Sequence, residues 1–595
     1  MRQVIVGFIF ILINQVFANI FYSGQNYTFE QPDGSLVEAK LFGDVAAMYA
    51  ETPDGYTLIR GVDGWLYYAE STLSGSKLSP SSHIYRGLST TGLKIKPHIR
   101  RSSLVDQQAI RKFHLKNSNY LLKPSYKSLT KKSSQQKPDD INHYRSFSGT
   151  IRGIVLLVDF SDEPATHTVQ DISDFLNQKG YSKYGNNGSV RDFYRDASNG
   201  KLDFIHDLSP TYFRAPNPKS YYDNGPYSVT KDLLKDAIEF FDDKIDFSLY
   251  DNDKDGTIED LSIIYAGKGQ IFGKGIWPHS GGFNAEKDGV KISRYQITDA
   301  DPGFLGLYVM AHESGHLIFG WPDAYGTGDQ GIMGSRSSET NPPLPSDVYR
   351  ADQGWIHIVD VDENTHAYFS DVMNDSIVYR WKNKNKRGEW FLWSNRSNKG
   401  RYKVLKGSGL QIYHFDYGVR TNSPPKVLSL AVVQADGKDY LGQTNWPAPG
   451  SDPNDFFHSK TLDHFDSNST PATNWNDSTY SGLNLHSIGL VGDTMSFAVG
   501  SNPVSLFDKN SFLQASDLLF RASFQGKSLM LTSHQSQQVQ VLLRNVLGQE
   551  VYSSSNTLLQ PGANYLSIGQ LPRGLYVVDV KAVGYQLMHQ VLFSP

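Results

Sequence analysis

Five consecutive residues, His312-Glu313-Ser314-Gly315-His316, carry the most specific chemistry in the chain. On a helix, residues four apart share a face, so both imidazoles can bind one zinc ion. Glu313 then lies next to the first ligand, close enough to reach a water on the metal without binding the metal itself. Zinc lowers the pKa of its water to roughly 7. Glu313 can take that proton and return it to a leaving amine, general acid–base help typically worth about 10²–10⁴-fold. A surface His pair on an ordinary helix is the competing explanation, and context decides between them. Leu307, Val309, Met310 and Ala311 precede the motif and Leu317, Ile318 and Phe319 follow it, as in a buried helix from about Phe304 to Phe319. Gly320 breaks that helix and Pro322-Asp323 follows, a reversal that can return a carboxylate to the metal as third ligand. A water, or a carboxylate from elsewhere, is the alternative to Asp323. Downstream, Gly331-Ile332-Met333-Gly334-Ser335 places Met333 in a tight turn that can floor the site.

A second constellation precedes the first. Asp251, Asp253 and Asp255, then Gly256, have the 1, 3, 5, 6 spacing of an EF-hand calcium loop, with Thr257 at position 7. Position 12 is Ser262, so the usual bidentate Glu is missing and Glu259 or Asp260 must substitute. The expectation is structural calcium; a plain acidic surface turn is the alternative.

These residues need a scaffold. Ile151–Phe160 and Leu261–Tyr265 read as buried strands, and helical patterns fall at 189–197 and 229–242, so strands alternate with helices in an α/β or α+β domain over 148–360. Before it, 19–93 carries short aromatic runs divided by Asp54-Gly55 and Asp63-Gly64, hairpin signals of a small β-rich unit. Residues 94–137 hold twelve Lys/Arg against one acid, Asp106, and 94–147 reads as a solvated, processable linker rather than a nucleic-acid arm. The pairs Arg100-Arg101, Arg111-Lys112 and Lys131-Lys132 suit trypsin-like cleavage. Residues 361–502 read as β-rich, with runs at Glu389–Trp393 and Gly409–Tyr413. Evenly spaced short strands over 503–595 suggest a β-sandwich.

With 595 residues the chain is too long for one core. A net charge of −4 gives no basic field for nucleic acid. Arg2, the apolar run Val4–Ile13 and Ala18 read as a signal peptide, residues 1–18, too short to span a bilayer. No later segment is apolar enough to span. The expected localisation is secreted or cell-surface. The absence of Cys excludes disulfides, thiolate metal sites and a cysteine nucleophile.

His-Glu-Ser-Gly-His followed by Gly320-Trp321-Pro322-Asp323-Ala324-Tyr325 resembles the immune-inhibitor-A (M6) family of zinc metallopeptidases, relatives of the metzincins. Ser189–Tyr194, Ser198–Leu202, Ile276–His279, the 40–70 region and segments of 360–500 are also similar to that family, about three quarters of the chain in all. The resemblance implies a zymogen with an N-terminal pro-segment and an α+β metzincin-like catalytic domain. It implies His312 and His316 as zinc ligands, Asp323 as third ligand, Glu313 as acid/base and Met333 as the Met-turn. One departure stands out. The metzincin pattern has two residues between the second His and the Gly, whereas Leu317, Ile318 and Phe319 intervene here. The segments Leu543–Val551 and Leu571–Val578 resemble type A sorting domains of the Bacteroidetes type IX secretion system, which implies outer-membrane secretion machinery as a partner. The expected function is a secreted zinc endopeptidase acting on polypeptides. A binding or adhesion protein that keeps the peptidase fold without turnover is the alternative.

Overall fold

The computed structural model describes residues 22–43, 49–61, 63–71, 78–87, 95–100, 146–224, 228–269, 276–362, 368–371, 377–419, 428–438, 441, 451–500, 521–525, 528–533, 536–545, 550–569, 571, 574–582 and 585–593. The expected signal peptide, most of the basic linker and residues 546–549 of the segment that resembles a sorting domain lie outside the described residues. The chain forms two compact units, the first running to Gln353 and taking back Leu441, the second beginning at Gly354.

The first unit opens with six strands in sequence order: β1 (Tyr22–Glu30), β2 (Leu36–Gly43), β3 (Tyr49–Glu51), β4 (Thr57–Arg60), β5 (Leu66–Ser71) and β6 (Leu78–Ile84). All neighbours are antiparallel. Both expected Asp-Gly turns occur, with Gly55 and Gly64 at φ of 89° and 86°, values that a side chain would strain. The first residues of the basic stretch are not free. The His98 amide donates to Gly55 O at 2.8 Å, and Arg100 bonds Glu51 and Thr57, so the Arg100-Arg101 pair begins on this sheet.

The sheet that carries the motif follows: β7 (Gly149–Asp159), β8 (Leu202–Arg214), β9 (Leu261–Ala266), β10 (His279–Lys287) and β11 (Val290–Ala300), in the order β10-β11-β9-β7-β8. Four strands are parallel and only the edge strand β10 runs against its neighbour. Of the α/β and α+β classes that the sequence left open, this sheet with its crossover helices is mixed α/β. Helices Val169–Asn177 and Val190–Ala197 join β7 to β8, and Lys219–Asn224 and Ser228–Phe241 join β8 to β9. Parallel neighbours need such crossovers. Every residue of β9 is buried, as a central parallel strand requires. The helices near 189–197 and 229–242 were legible. The helix Val169–Asn177 was not, although Thr168 and Asp171 form a capping box there.

In the second unit, Ile377–Lys382, Glu389–Arg396 and Gly409–Asp416 form the middle of one sheet. The C-terminal strands make a three-stranded and a four-stranded sheet, and Leu529, Leu531, Val541, Leu543 and Val578 from the two share one apolar cluster. No helix among the described residues is long and apolar enough to cross a membrane.

Candidate metal centre

The motif helix spans Leu307–Ser314 and starts three residues later than its apolar pattern suggests, because Asp301–Phe304 closes a bridge first. Gly306 cannot cap it with a side chain, so other segments supply the caps. Asn186 Oδ1 accepts from the Leu307 amide at 3.2 Å, and Glu339 O accepts from the Tyr308 amide at 2.9 Å. Two anchors fix the helix laterally. Tyr194 Oη donates to Ala311 O at 2.6 Å. On the sheet side, Gln296 Nε2 donates to Ser262 Oγ at 2.6 Å and to Ser314 Oγ at 3.0 Å, and Ser314 Oγ donates to Met310 O.

After Ser314 the winding changes. Gly315–Phe319 form a π-helical turn, and Gly320 ends it at φ 73°. The Gly320 amide donates to His316 O at 3.2 Å and the Trp321 amide to Gly315 O at 3.3 Å. A π turn takes up one extra residue without lengthening the exit. That is how three residues fit between His316 and Gly320 while the chain still reverses. Asp323 consequently arrives beside the imidazoles. Its Oδ1 lies 3.4 Å from His312 Nε2 and 3.4 Å from His316 Nε2, and the two Nε2 atoms are 3.0 Å apart.

These three atoms fit a metal ion. Zinc with ligands at about 2.0–2.2 Å in tetrahedral array requires donor separations of roughly 3.3 Å. Each imidazole is turned correctly: His312 Nδ1 bonds Ile332 O at 2.7 Å and His316 Nδ1 bonds Trp321 O at 2.5 Å. Nδ1–H donation to a carbonyl leaves the Nε2 lone pair for a metal. Asp323 Oδ1 and both Glu313 oxygens are buried without a hydrogen bond. Burial of that kind is costly for a carboxylate unless a cation compensates. Burial pushes the Glu313 carboxyl up, with the two imidazoles opposing, while for Asp323 burial is outweighed by His316 and His312 and the carboxyl is held below its usual range. Met333 packs against the turn between the two histidines: a Cβ on Gly315 would sit 2.7 Å from its Sδ, so any side chain there must displace the methionine.

The sequence pattern alone did not single out several neighbours. Tyr308 stacks on His312 with centroids 5.6 Å apart and an interplanar angle of 24°. His279 Nε2 bonds Tyr295 Oη at 2.7 Å on β10 and β11. A Tyr four residues before a ligand is a legible signal for a helical neighbour; the β10–β11 pairing had none.

The acidic loop also assembles. Asp251, Asp253, Asp255 and Glu259 bring carboxylate oxygens together. Asp251 accepts from the amides of Asp255 and Gly256 at 3.0 Å each, and Gly256 turns the chain at φ 84°. Asp255 Oδ1 accepts from the Thr257 amide at 2.9 Å. Between the two substitutes for the missing Glu, Glu259 joins the loop. Asp260 instead turns into the core, accepts from Ser262 Oγ at 2.6 Å and lies 3.7 Å from His206 Nε2. A further acidic group, Asp436, Asp452 and Asp455, went unnoticed as a cluster; Lys438 Nζ already lies 2.8 Å from Asp436 Oδ2 and supplies a cation from the chain itself.

No family model and no curated protein sequence matches the chain. Among solved structures, the chain is similar to wild-type OgpA from Akkermansia muciniphila at 11% identity, over 75% of this chain and 92% of that chain, with a TM-score of 0.22. A superposition so loose carries no argument about fold or chemistry.

Proposed function

We propose that this chain is a secreted zinc metalloendopeptidase built on a metzincin-like catalytic domain. One observation carries the reading: His312 Nε2, His316 Nε2 and Asp323 Oδ1 form a triangle of 3.0, 3.4 and 3.4 Å beside a buried, unbonded Glu313. The four parallel strands with one antiparallel edge, β10, and the methionine turn under Gly315 support it. In this reading His312, His316 and Asp323 hold zinc. Bound zinc supplies a Lewis acid that polarises a peptide carbonyl and acidifies water. Glu313, kept basic enough by its burial, takes a proton from the attacking water and delivers it to the departing amine. Each imidazole has its Nδ1 engaged by a backbone carbonyl, which leaves the two Nε2 atoms to face the metal position.

Calcium in the Asp251–Glu259 loop is a structural part of the proposal, as is export through an N-terminal signal and a C-terminal domain read by outer-membrane secretion machinery. Substrates are extracellular polypeptides. The decisive experiment is metal analysis and casein hydrolysis by the purified protein, with and without chelator, for the parent chain and for Glu313→Gln. Chelator-sensitive cleavage that Glu313→Gln abolishes, with zinc still bound, supports the enzyme. A zinc-loaded, folded protein that cleaves nothing across a peptide library establishes the binding protein instead.

A further inference from the structure

A cavity of about 480 Å³ adjoins the motif helix. Val309 and Met310 of that helix form part of its wall, Arg336 and Ser337 from the segment after Met333 another part, and Asn26-Tyr27-Thr28 of β1 the wall toward the N-terminal sheet. Three observations give it a ligand chemistry. Arg336 Nη1 donates to Tyr27 Oη at 2.6 Å, so a phenol oxygen from the chain's own N-terminal sheet already engages the cation of this wall. Ser337 Oγ is buried with no hydrogen-bond partner among the described residues, a polar atom awaiting one. Asp299, Asp301 and Glu339 also line the cavity against Lys268 and Arg336. Arg336 is ion-paired with Glu339 through its other terminal nitrogen while Lys268 lies beside Asp301, so the wall has no surplus positive charge for an incoming carboxylate and suits a neutral oxygen.

The connection to the metal centre runs through Tyr308. The Arg336 guanidinium lies 5.8 Å from the Tyr308 ring centroid, and Tyr308 stacks on His312. β1 has the form of a ligand too. It is the outer strand of its sheet, paired among the described residues with β2 alone, and its residues 26–28 border the cavity.

We infer, on the reading of the centre as a peptidase, that this cavity receives a tyrosyl side chain of an extended polypeptide substrate, that Arg336 selects it through its phenolic oxygen, and that Tyr27 on β1 competes for the same place. The apolar helix wall takes the ring, with Met310 offering its thioether to the aromatic edge. Arg336 and Ser337 take the hydroxyl. Until β1 withdraws, the substrate must displace an intramolecular rival.

Binding can be read apart from catalysis in the full chain carrying Glu313→Gln. The probe is a fluorescent nonapeptide copying residues 22–30, Tyr-Ser-Gly-Gln-Asn-Tyr-Thr-Phe-Glu, and its counterpart with Phe at the sixth position, followed by anisotropy. Tyr27→Phe keeps the ring and the sheet but removes the acceptor; a hydrogen bond to a charged group is worth at least about tenfold in affinity. The Tyr27→Phe chain is expected to bind the tyrosyl probe about tenfold more tightly than its parent and to prefer it over the Phe probe. Adding Arg336→Gln, which keeps length and a donor amide, removes that preference, and Arg336→Ala does so too if it folds. Equal affinity for both probes in parent and Tyr27→Phe chains overturns the inference. With Glu313 restored, discrimination without any hydrolysis sinks the peptidase reading alone. Hydrolysis indifferent to Tyr27→Phe and to tyrosine in the substrate sinks the cavity assignment alone.

Discussion

At the scale of single residues, the site is a balance of buried charges. Glu313→Gln is expected to lower peptide hydrolysis by at least about 10²-fold with zinc content unchanged, since it removes a proton carrier and not a ligand. Asp323→Ala is expected to lose bound zinc on dialysis, checked by elemental analysis. A second buried pair reports on stability. In the folded state burial pushes His206 down to about 3 and Asp260 up to about 7. Between about pH 4 and 6.5 the folded pair holds one proton, on Asp260 with His206 neutral, and the unfolded pair also holds one, on histidine with aspartate ionised. The pair therefore contributes no slope there. Single variants break the cancellation. Asp260→Asn leaves a histidine that only the unfolded chain protonates, so stability relative to parent falls as pH drops below 6.5. His206→Phe leaves a carboxyl that only the unfolded chain ionises, so relative stability falls as pH rises from about 4 toward 7. Urea titrations across this range check both signs; parallel pH profiles for parent and variants refute the pairing.

At the scale of elements, the motif was legible in outline and not in winding. The His312–His316 spacing, the flanking apolar residues and the Gly320 break are local signals, and they located the helix. Three residues between His316 and Gly320 left the carboxylate in doubt, because residue counting assumes an α-helical exit. The π turn Gly315–Phe319 removes that assumption. Glu259 and Asp260 were likewise indistinguishable by spacing; alternation along the chain sends one to the loop and one to the core. The β10–β11 rim, the Arg336 contact and Tyr27 depend on pairings far apart in sequence, and no local pattern announces them. Two glycines carry the winding. Gly315→Ala is expected to cost about 1–3 kcal/mol because its Cβ meets Met333 Sδ, and Gly320→Ala about 1 kcal/mol because of its left-handed backbone. Thermal melts give the costs, and zinc affinity should fall with the first more than with the second.

At the scale of the whole molecule, the two units keep their chemistry separate. The candidate metal centre and the Asp251–Glu259 loop both lie in the first. β9 begins two residues after Glu259 and runs through the centre of the sheet that carries the motif helix, so ordering the loop steadies that sheet. Millimolar calcium acting on a site with Kd near 10⁻⁴ M adds about 1.4 kcal/mol. A rise in melting temperature with calcium, lost in Asp251→Asn/Asp253→Asn, is expected; an unchanged melt shows the loop to be only an acidic turn.

The bulged winding behind His316 reaches beyond this chain. A metal responds to where donor atoms sit in space, whereas a text pattern responds to how many letters separate them. A single wide loop of helix lets those two measures part company. Proteins that gained or lost one letter there can keep the same coordination while escaping any search that insists on a fixed count.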